Sequence, residues 1–370
     1  MHLHASLFPL LVFLIFTTIS SPLSAAEYTL SLTEADSLSG WQHQGEAQFT
    51  RDQETLTFSN GKSGLSFDYP VHEGAWSFEL TTPAAFQGKI LARLESGKES
   101  HVLELLNSES SIDKAEQQTV AHQFALSAAE INWQRGDENT ITHRRQSAAP
   151  LQLSIHVEAT GDAPVTITNM KVTETGFMSL FSGTDLTGWE GGGQPADVCW
   201  KVEEGLLVCT GVKKGPWLRT TEEYGDFNLR IEYWLSADGN SGLYVRVPQD
   251  GNHHRDNAEE AEAGFEIQLL DDEAEKYKGK LKDYQYTGSV YDIVGASDLV
   301  GNPAGTWNTM ELNCKGQHIT TILNGKIIVN ATPDNYPLLN LRKEKGYLGL
   351  QNHSSVVKFR NLRIGPALDY

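Results

Sequence analysis

The chain has 370 residues, enough for two domains of ordinary size, each with its own core. Its 48 acidic residues against 29 lysines and arginines give a net charge of −19. That balance argues against nucleic-acid binding, which draws on basic side chains neutralising phosphates.

The first element is the apolar run "LFPLLVFLIFTTIS", followed by "SPLSAA", whose Ser24 and Ala26 are small residues suited to the −3 and −1 positions of a cleavage site. Residues 1–26 therefore read as a signal peptide cleaved before Glu27. The run is shorter than the roughly 20 apolar residues of a membrane span, and no other segment is long and apolar enough. The expectation is an exported protein, periplasmic or extracellular, with no membrane span after cleavage.

Beyond residue 26 the elements come in two parallel series. "DSLSGW" (Asp36–Trp41) opens the first and "TDLTGW" (Thr184–Trp189) the second. Each is followed by a hairpin pattern, "FTRDQETLTF" and then "WKVEEGLLVC", and by a turn glycine with alternating apolar residues. These are Trp76, Phe78 and Leu80 against Phe227, Leu229 and Ile231, the period of a half-buried strand. The closing strands share an irregularity. "VTITNMKV" alternates through Val165 and Ile167 and then slips to Met170 and Val172; "VKFRNLRI" alternates through Val357 and Phe359 and then slips to Leu362 and Ile364. A phase slip of one residue is the mark of a β-bulge. The reading is an all-β chain of two tandem β-sandwich domains after the signal peptide: a degenerate first copy over 27–176 and a second over 177–370. Ser111–Glu130 is the one stretch whose composition allows a helix.

In "VCWKVEEGLLVC" a three-residue loop Glu203–Glu204–Gly205 sets Cys199 opposite Cys209, within reach of a cross-strand disulfide. Cys314 stays unpaired.

The copies differ most in length. Trp41 to Asn169 is 44 residues shorter than Trp189 to Asn361. The second copy gains a polar loop, Pro248–Ala263, and the segment "TGSVYDIVG" (Thr287–Gly295); insertions at sheet rims are where function tends to be built. With "HVLELLN" laid on "FEIQLLD", Glu266 falls on Val102, and Arg246 falls on Arg93. The second copy is therefore expected to hold the reactive face. Strand alternation groups Gly264, Glu266 and Gln268 on one face, Gly242, Tyr244 and Arg246 on another, and Gly349, Gln351 and His353 on a third. Small, polar and aromatic residues in that combination describe a groove for a sugar, with Tyr244, Tyr291, Trp217 and Trp307 as ring platforms. Asp271, Asp272 and Glu273 offer oxygen ligands suited to calcium but lack a recognised spacing, so no cofactor is expected. The paired histidines of "NHHRD" read as solvated loop residues.

"LFSGTDLTGW", "NSGLYVRV", "GFEIQLLDD", "TGSVYDIVG", "TWNTMELNCKGQHITTILNGK" and "GYLGLQNHSSVVKFRNLRI" together resemble the 3-keto-disaccharide hydrolase family over Gly176 to Gly365. The resemblance implies a concanavalin-like jelly roll with a groove on its concave face. It also implies a carbohydrate substrate already oxidised at carbon 3, supplied by an upstream sugar 3-dehydrogenase. A ketone there acidifies the hydrogen on carbon 2, so a base can form the enolate, which expels the glycosidic oxygen before water adds back. Glu266 and His353 are the expected base and acid, in either order. Arg246 and Gln268 would hold the carbonyl and hydroxyls, with Tyr291 and Asp292 completing the wall. Two other readings compete. One is a laminarinase-like glucanase, although Gln268 and Asp271 replace the Asp and Glu of its E-x-D-x-x-E strand. The other is a carbohydrate-binding protein without turnover.

Overall fold

The computed structural model describes residues 26–31, 40–45, 48–52 (as backbone), 55–59, 61–84, 86–97, 99–108, 116–159 and 164–370. The expected signal peptide, except Ala26, and Asp36–Ser39 of the first opening phrase lie outside them. Strands dominate. The first thirteen are β1 (Glu27–Ser31), β2 (Trp41–Gly45), β3 (Gln48–Asp52), β4 (Thr55–Ser59), β5 (Gly61–Phe67), β6 (Gly74–Thr82), β7 (Gly88–Glu95), β8 (Ser100–Asn107), β9 (Gln118–Leu126), β10 (Glu130–Arg135), β11 (Ile141–Arg144), β12 (Gln152–Ala159) and β13 (Val165–Thr175). The next thirteen are β14 (Met178–Ser179), β15 (Trp189–Gly191), β16 (Trp200–Glu203), β17 (Leu206–Cys209), β18 (Leu218–Tyr224), β19 (Phe227–Leu235), β20 (Asn240–Val247), β21 (Phe265–Leu270), β22 (Trp307–Lys315), β23 (His318–Leu323), β24 (Lys326–Ala331), β25 (Gly346–Leu350) and β26 (Val357–Gly365).

Each set of thirteen makes two antiparallel sheets facing across one apolar core. In the first set the sheets run β11-β10-β9-β6-β13-β4-β3, with β1 added on β13, and β2-β5-β12-β7-β8. In the second they run β24-β23-β22-β19-β26-β17-β16, with β14 added on β26, and β15-β18-β25-β20-β21. Strand for strand the two orders coincide. The bulges read from sequence are present in both closing strands. Register shifts between Thr168 and Lys171 in β13 and between Arg360 and Arg363 in β26, and Asn169 and Asn361 take φ of 53° and 51°. Asparagine tolerates that left-handed conformation better than most residues.

Two local expectations are corrected. The stretch allowed as a helix contains β9, in which His122, Phe124 and Leu126 alternate inward; tertiary pairing with β6 and β10 overrides the helical propensity of its alanines. The β16–β17 hairpin turns on two residues, not three. Glu204 and Gly205, at φ 52° and 78°, form the connection, so Trp200 faces Cys209. A two-residue turn with positive φ at both positions matches the strand twist, which a centred loop would not. Cys199 falls outside the ladder, and both cysteines are buried free thiols rather than a disulfide. Cys199 Sγ donates to Pro216 O (3.3 Å) and Cys209 Sγ to Asn352 Oδ1 (3.6 Å).

The first sandwich packs against the β19–β22–β26 sheet of the second through polar groups. Glu174, on β13, is buried between Arg230 and Arg363 and pairs with both. Arg230 also donates to Pro70 O (2.6 Å) and faces Glu311 (3.2 Å), while Tyr69 Oη donates to Ile231 O (2.8 Å). Thr309 Oγ1 donates to Asp68 (2.9 Å), and the Arg363 guanidinium lies 4.4 Å over the Tyr69 ring. Among the described residues, none of these seam contacts involves the β15–β18–β25–β20–β21 sheet, on the other side of the second sandwich.

Candidate active site

A row of paired residues crosses that free sheet. Glu190 faces Arg219, Arg219 faces Gly349, Gly349 faces Tyr244 and Tyr244 faces Glu266. The corresponding row of the first sandwich, counted from the residue after its opening tryptophan, is Gln42, Ser66, Ser154, Arg93 and Val102. Val102 thus stands where Glu266 stands, and the first sandwich has no carboxyl there. Arg93, however, corresponds to Tyr244 rather than to Arg246.

A cleft of about 300 Å³ lies over the second row. Tyr244, Glu266, Gln268, Tyr291, Gln351 and His353, six of the eight residues expected at the site, line it. Both insertions contribute. The Thr287–Gly295 segment adds itself to the edge of β21, with Gly288 N donating to Gln268 O (2.8 Å) and Tyr291 N to Glu266 O (2.9 Å). The Pro248–Ala263 loop folds across the sheet and is fastened by Gly264 N donating to Asn252 O (3.0 Å) and Lys343 N to Ala263 O (2.9 Å).

The floor depends on glycine. A β-carbon on Gly242 would stand 2.0 Å from Glu266 Oε1, and one on Gly349 would stand 2.5 Å from the Trp217 ring. Trp217 is further hemmed in by Gly192 and Gly251 and meets Tyr244 edge-on at 5.3 Å. It supports the cleft from behind without lining it.

Glu266 is 4% exposed. Burial, reinforced by the negative charge of Asp292, pushes its carboxyl up to about 8 against a hydrogen bond from Gln351, so it holds its proton at neutral pH. Its neighbours are His253, with Nε2 3.3 Å from Oε2, and Gln351, whose Nε2 donates to Tyr244 Oη (3.1 Å). The Tyr244 phenol is raised by burial and by Glu266. Gln268 Nε2 donates to Asn240 Oδ1 (3.1 Å) and Gln285 Nε2 to Tyr291 Oη (3.1 Å), which fixes the polar walls. His353 lies exposed at the rim.

Arg246 is not a site residue. A register shift between Tyr244 and Val247, with Arg246 at φ 51°, breaks the strict alternation on which it was grouped with Tyr244. Its guanidinium is fully buried and donates to Gly225 O (2.9 Å), Gly316 O (2.7 Å) and Asp226 Oδ1 (3.2 Å). Asp292 stands one step back from the cleft, 3.1 Å from His254 Nδ1. Trp307 lies on β22, in the other sheet, beneath the Arg360 guanidinium at 4.1 Å. Asp271 and Asp272 serve the backbone: Asp271 Oδ2 accepts from Asp238 N (2.9 Å) and Asp272 Oδ1 from Thr287 N (3.1 Å). Among the described residues no group of three or more His, Cys, Asp or Glu side chains is arranged to hold a metal ion.

The residues missed from sequence are His253 and His254. Both line the cleft: His253, read as solvated, is largely covered, its ring stacked on Tyr244 at 4.5 Å and 24°, whereas His254 is exposed as expected, with its ring 4.1 Å beyond. The length of the insertion was a usable signal; the path of the loop was not. Tyr277, Leu281 and Gln285, which close the far end, gave no signal at all.

A 3-keto-disaccharide hydrolase of Bacteroides thetaiotaomicron is 24% identical over 232 residues, covering 53% of this chain and 80% of that one. The crystal structure of a glycosyl hydrolase candidate from Parabacteroides distasonis is 27% identical, covers 52% of this chain and 94% of that one, and has a TM-score of 0.43. A carbohydrate-binding module of Bacillus subtilis is 13% identical over 48% of this chain and 95% of that one, with a TM-score of 0.32. The 3-keto-alpha-glucoside-1,2-lyase-like family model matches residues 176–365, which takes in every strand of the second sandwich and the whole cleft, and the chain belongs to that family.

Proposed function

We propose that the chain is an exported enzyme that cleaves the glycosidic bond of 3-keto-glycosides in the cleft of the second sandwich. The observation that carries this reading is the solitary, proton-bearing carboxyl of Glu266. Among the described residues lining the cleft it is the one carboxyl group. Direct glycoside hydrolysis uses two carboxyls on opposite sides of the bond; a single acid surrounded by histidines, glutamines and tyrosines suits proton transfers on an already activated sugar.

The steps follow from the ketone. His353, at the rim, removes the hydrogen on carbon 2, and the resulting enolate oxygen is met by donors such as the amide of Gln268. The electron pair returns to form the carbon 1–carbon 2 double bond as the carbon 1–oxygen bond breaks, and Glu266 gives its proton to the departing oxygen. Water then adds across the double bond, its hydroxyl to carbon 1 and a proton to carbon 2, releasing the 3-keto-sugar. Tyr291 offers a ring to the sugar, while Tyr244, its ring covered by His253, holds Gln351 through its hydroxyl. The names of the family and of the Bacteroides relative agree with an elimination at carbons 1 and 2 and with a 3-keto-disaccharide substrate. A reaction that oxidises the carbon 3 hydroxyl has to supply the substrate. We take the first sandwich to be a second copy of the same unit, without a reaction site, since Val102, Arg93 and Ser154 replace Glu266, Tyr244 and Gly349 in its row.

The test is mass spectrometry of the products after incubating the full chain with 3-keto-glucosides and with their unoxidised parents. Release of the 3-keto-sugar from the oxidised set alone is expected. Equal cleavage of both sets points instead to a glucanase, and binding without product to a carbohydrate-binding protein.

A further inference from the structure

The Pro248–Ala263 loop delivers one side chain to Glu266, and the hydrogen bonds on that side chain fix what it can do. His253 Nδ1 lies 2.9 Å from the carbonyl oxygen of Gly251. A carbonyl only accepts, so Nδ1 carries the ring proton, and Nε2 of the neutral ring is left with a lone pair. Nε2 lies 3.3 Å from Glu266 Oε2. A lone pair and a carboxylate that close together in a buried site repel, so the resting site favours a proton on one of them.

The geometry holds this arrangement from every side. Gly251 adopts φ 79° with its backbone against Trp217, which fixes its carbonyl. The imidazole is stacked on Tyr244, and its side chain is 18% exposed. His254 lies against the outer face of the ring and is itself paired with Asp292. Arg342, whose Nη1 donates to Arg255 O (2.8 Å), fastens the loop and adds a positive charge nearby. Burial, followed by the charges of His254 and Arg342, disfavours a cationic His253 despite Asp292 and the Gly251 bond. The proton therefore resides on Glu266.

We infer that His253 is a positioning residue that keeps the proton of Glu266 in place at rest, so that the loop insertion is what turns a carboxyl on a sheet into an acid. This rests on the proposed reading of Glu266 as the proton donor. During a turnover, Glu266 gives its proton to the leaving oxygen while His353 takes the one on carbon 2; water then supplies the hydroxyl on carbon 1 and the proton on carbon 2, the proton held by His353 returns through solvent to Glu266, and His253 is neutral at the start and at the end.

The test uses the full chain in two variants. His253→Phe keeps a ring to stack on Tyr244 and removes both nitrogen contacts; His253→Gln keeps an amide oxygen able to accept near the position of Nε2. For His253→Phe the alkaline limb of kcat/KM against pH is expected to move down by about one unit, with kcat falling roughly fivefold at pH 8 and KM little changed. His253→Gln should restore most of both. An alkaline limb that stays in place in His253→Phe overturns the inference, because a merely structural ring would leave it there. Carbon-13 NMR titration of chain labelled at the glutamate carboxyl carbons, with the Glu266 signal identified by its loss in Glu266→Gln, gives a readout independent of turnover. The Glu266 midpoint should fall in His253→Phe. An unmoved midpoint refutes the role of His253 even if no 3-keto-glycoside is turned over, whereas a lowered midpoint without turnover refutes the reaction and leaves the role of His253 standing.

Discussion

Replacing Gly242 by alanine adds one methyl group to the floor beneath Glu266. The new β-carbon would stand 2.0 Å from Oε1 and 2.8 Å from Cδ, where a comfortable contact is about 3.5 Å, so the carboxyl has to retreat by roughly 1.5 Å. Gly242 does not have the positive φ that would strain an alanine backbone, so β20 should form as before. A displacement of about 1 Å at a reacting group costs on the order of 10²-fold in rate, which sets the expected loss in kcat/KM for Gly242→Ala. The assay is initial-rate release of 3-keto-glucose from a 3-keto-glucoside, with circular dichroism to verify the fold. In a Glu266→Gln background the same substitution should cost little more, since the group it displaces has already lost its proton-donating role. Gly242→Ala with wild-type kcat/KM would show that the position of the Glu266 carboxyl does not govern the reaction, and the site assignment would fall with it.

Other expectations follow from the same geometry. Glu266→Gln should reduce turnover by at least 10²-fold; wild-type activity should decline as pH rises through about 8, where Glu266 loses its proton, and that limb should vanish in the residual activity of the variant. Asp68, buried in the seam, is pushed up to about 7 chiefly by burial, so the folded state binds a proton that the unfolded chain has released above pH 4. Its stabilising contribution is therefore full at low pH and lost as pH rises to 7 and beyond. Asp68→Asn, which still accepts from Thr309, should gain on the wild type between pH 5 and pH 8 by up to about 3 kcal/mol, read as the difference in urea midpoints. Glu174→Ala leaves Arg363 without its carboxylate partner in a buried site and should destabilise the chain by about 3 kcal/mol; an unchanged melting curve would mean that the seam contributes nothing.

Much of this architecture could be read from the sequence because it is periodic. Alternating apolar residues mark strands however they pair, and the slip at Asn169 and Asn361 announces a bulge because it moves every later side chain to the other face. Glu266, Gln268 and Gln351 were accessible by the same logic, standing at polar positions on otherwise apolar strands. The logic failed where the backbone departs from it. The bulge at Arg246 rotates one arginine out of its expected row and into hydrogen bonds with three backbone and side-chain oxygens. The two-residue turn at Glu204 shifts the β16–β17 pairing by one. In the Pro248–Ala263 loop no period exists, so nothing in "NHHRD" tells which histidine turns inward. The seam was invisible for another reason: Arg230, Glu232 and Arg363 alternate with apolar residues as any solvated strand face does, and only tertiary packing distinguishes water from a neighbouring sandwich.

The character of that seam has a consequence for the history of such chains. A joint made of hydrocarbon commits both partners, since either one released alone would offer a sticky face and aggregate. Here the released surface of the second sandwich would present Arg230, Glu232, Glu311, Arg360 and Arg363, groups that water solvates readily. A sandwich with such a back can be lent from one gene to another, gaining or losing a companion, without becoming insoluble in the interval. The cleft, on the opposite sheet, would pass through each exchange unaltered.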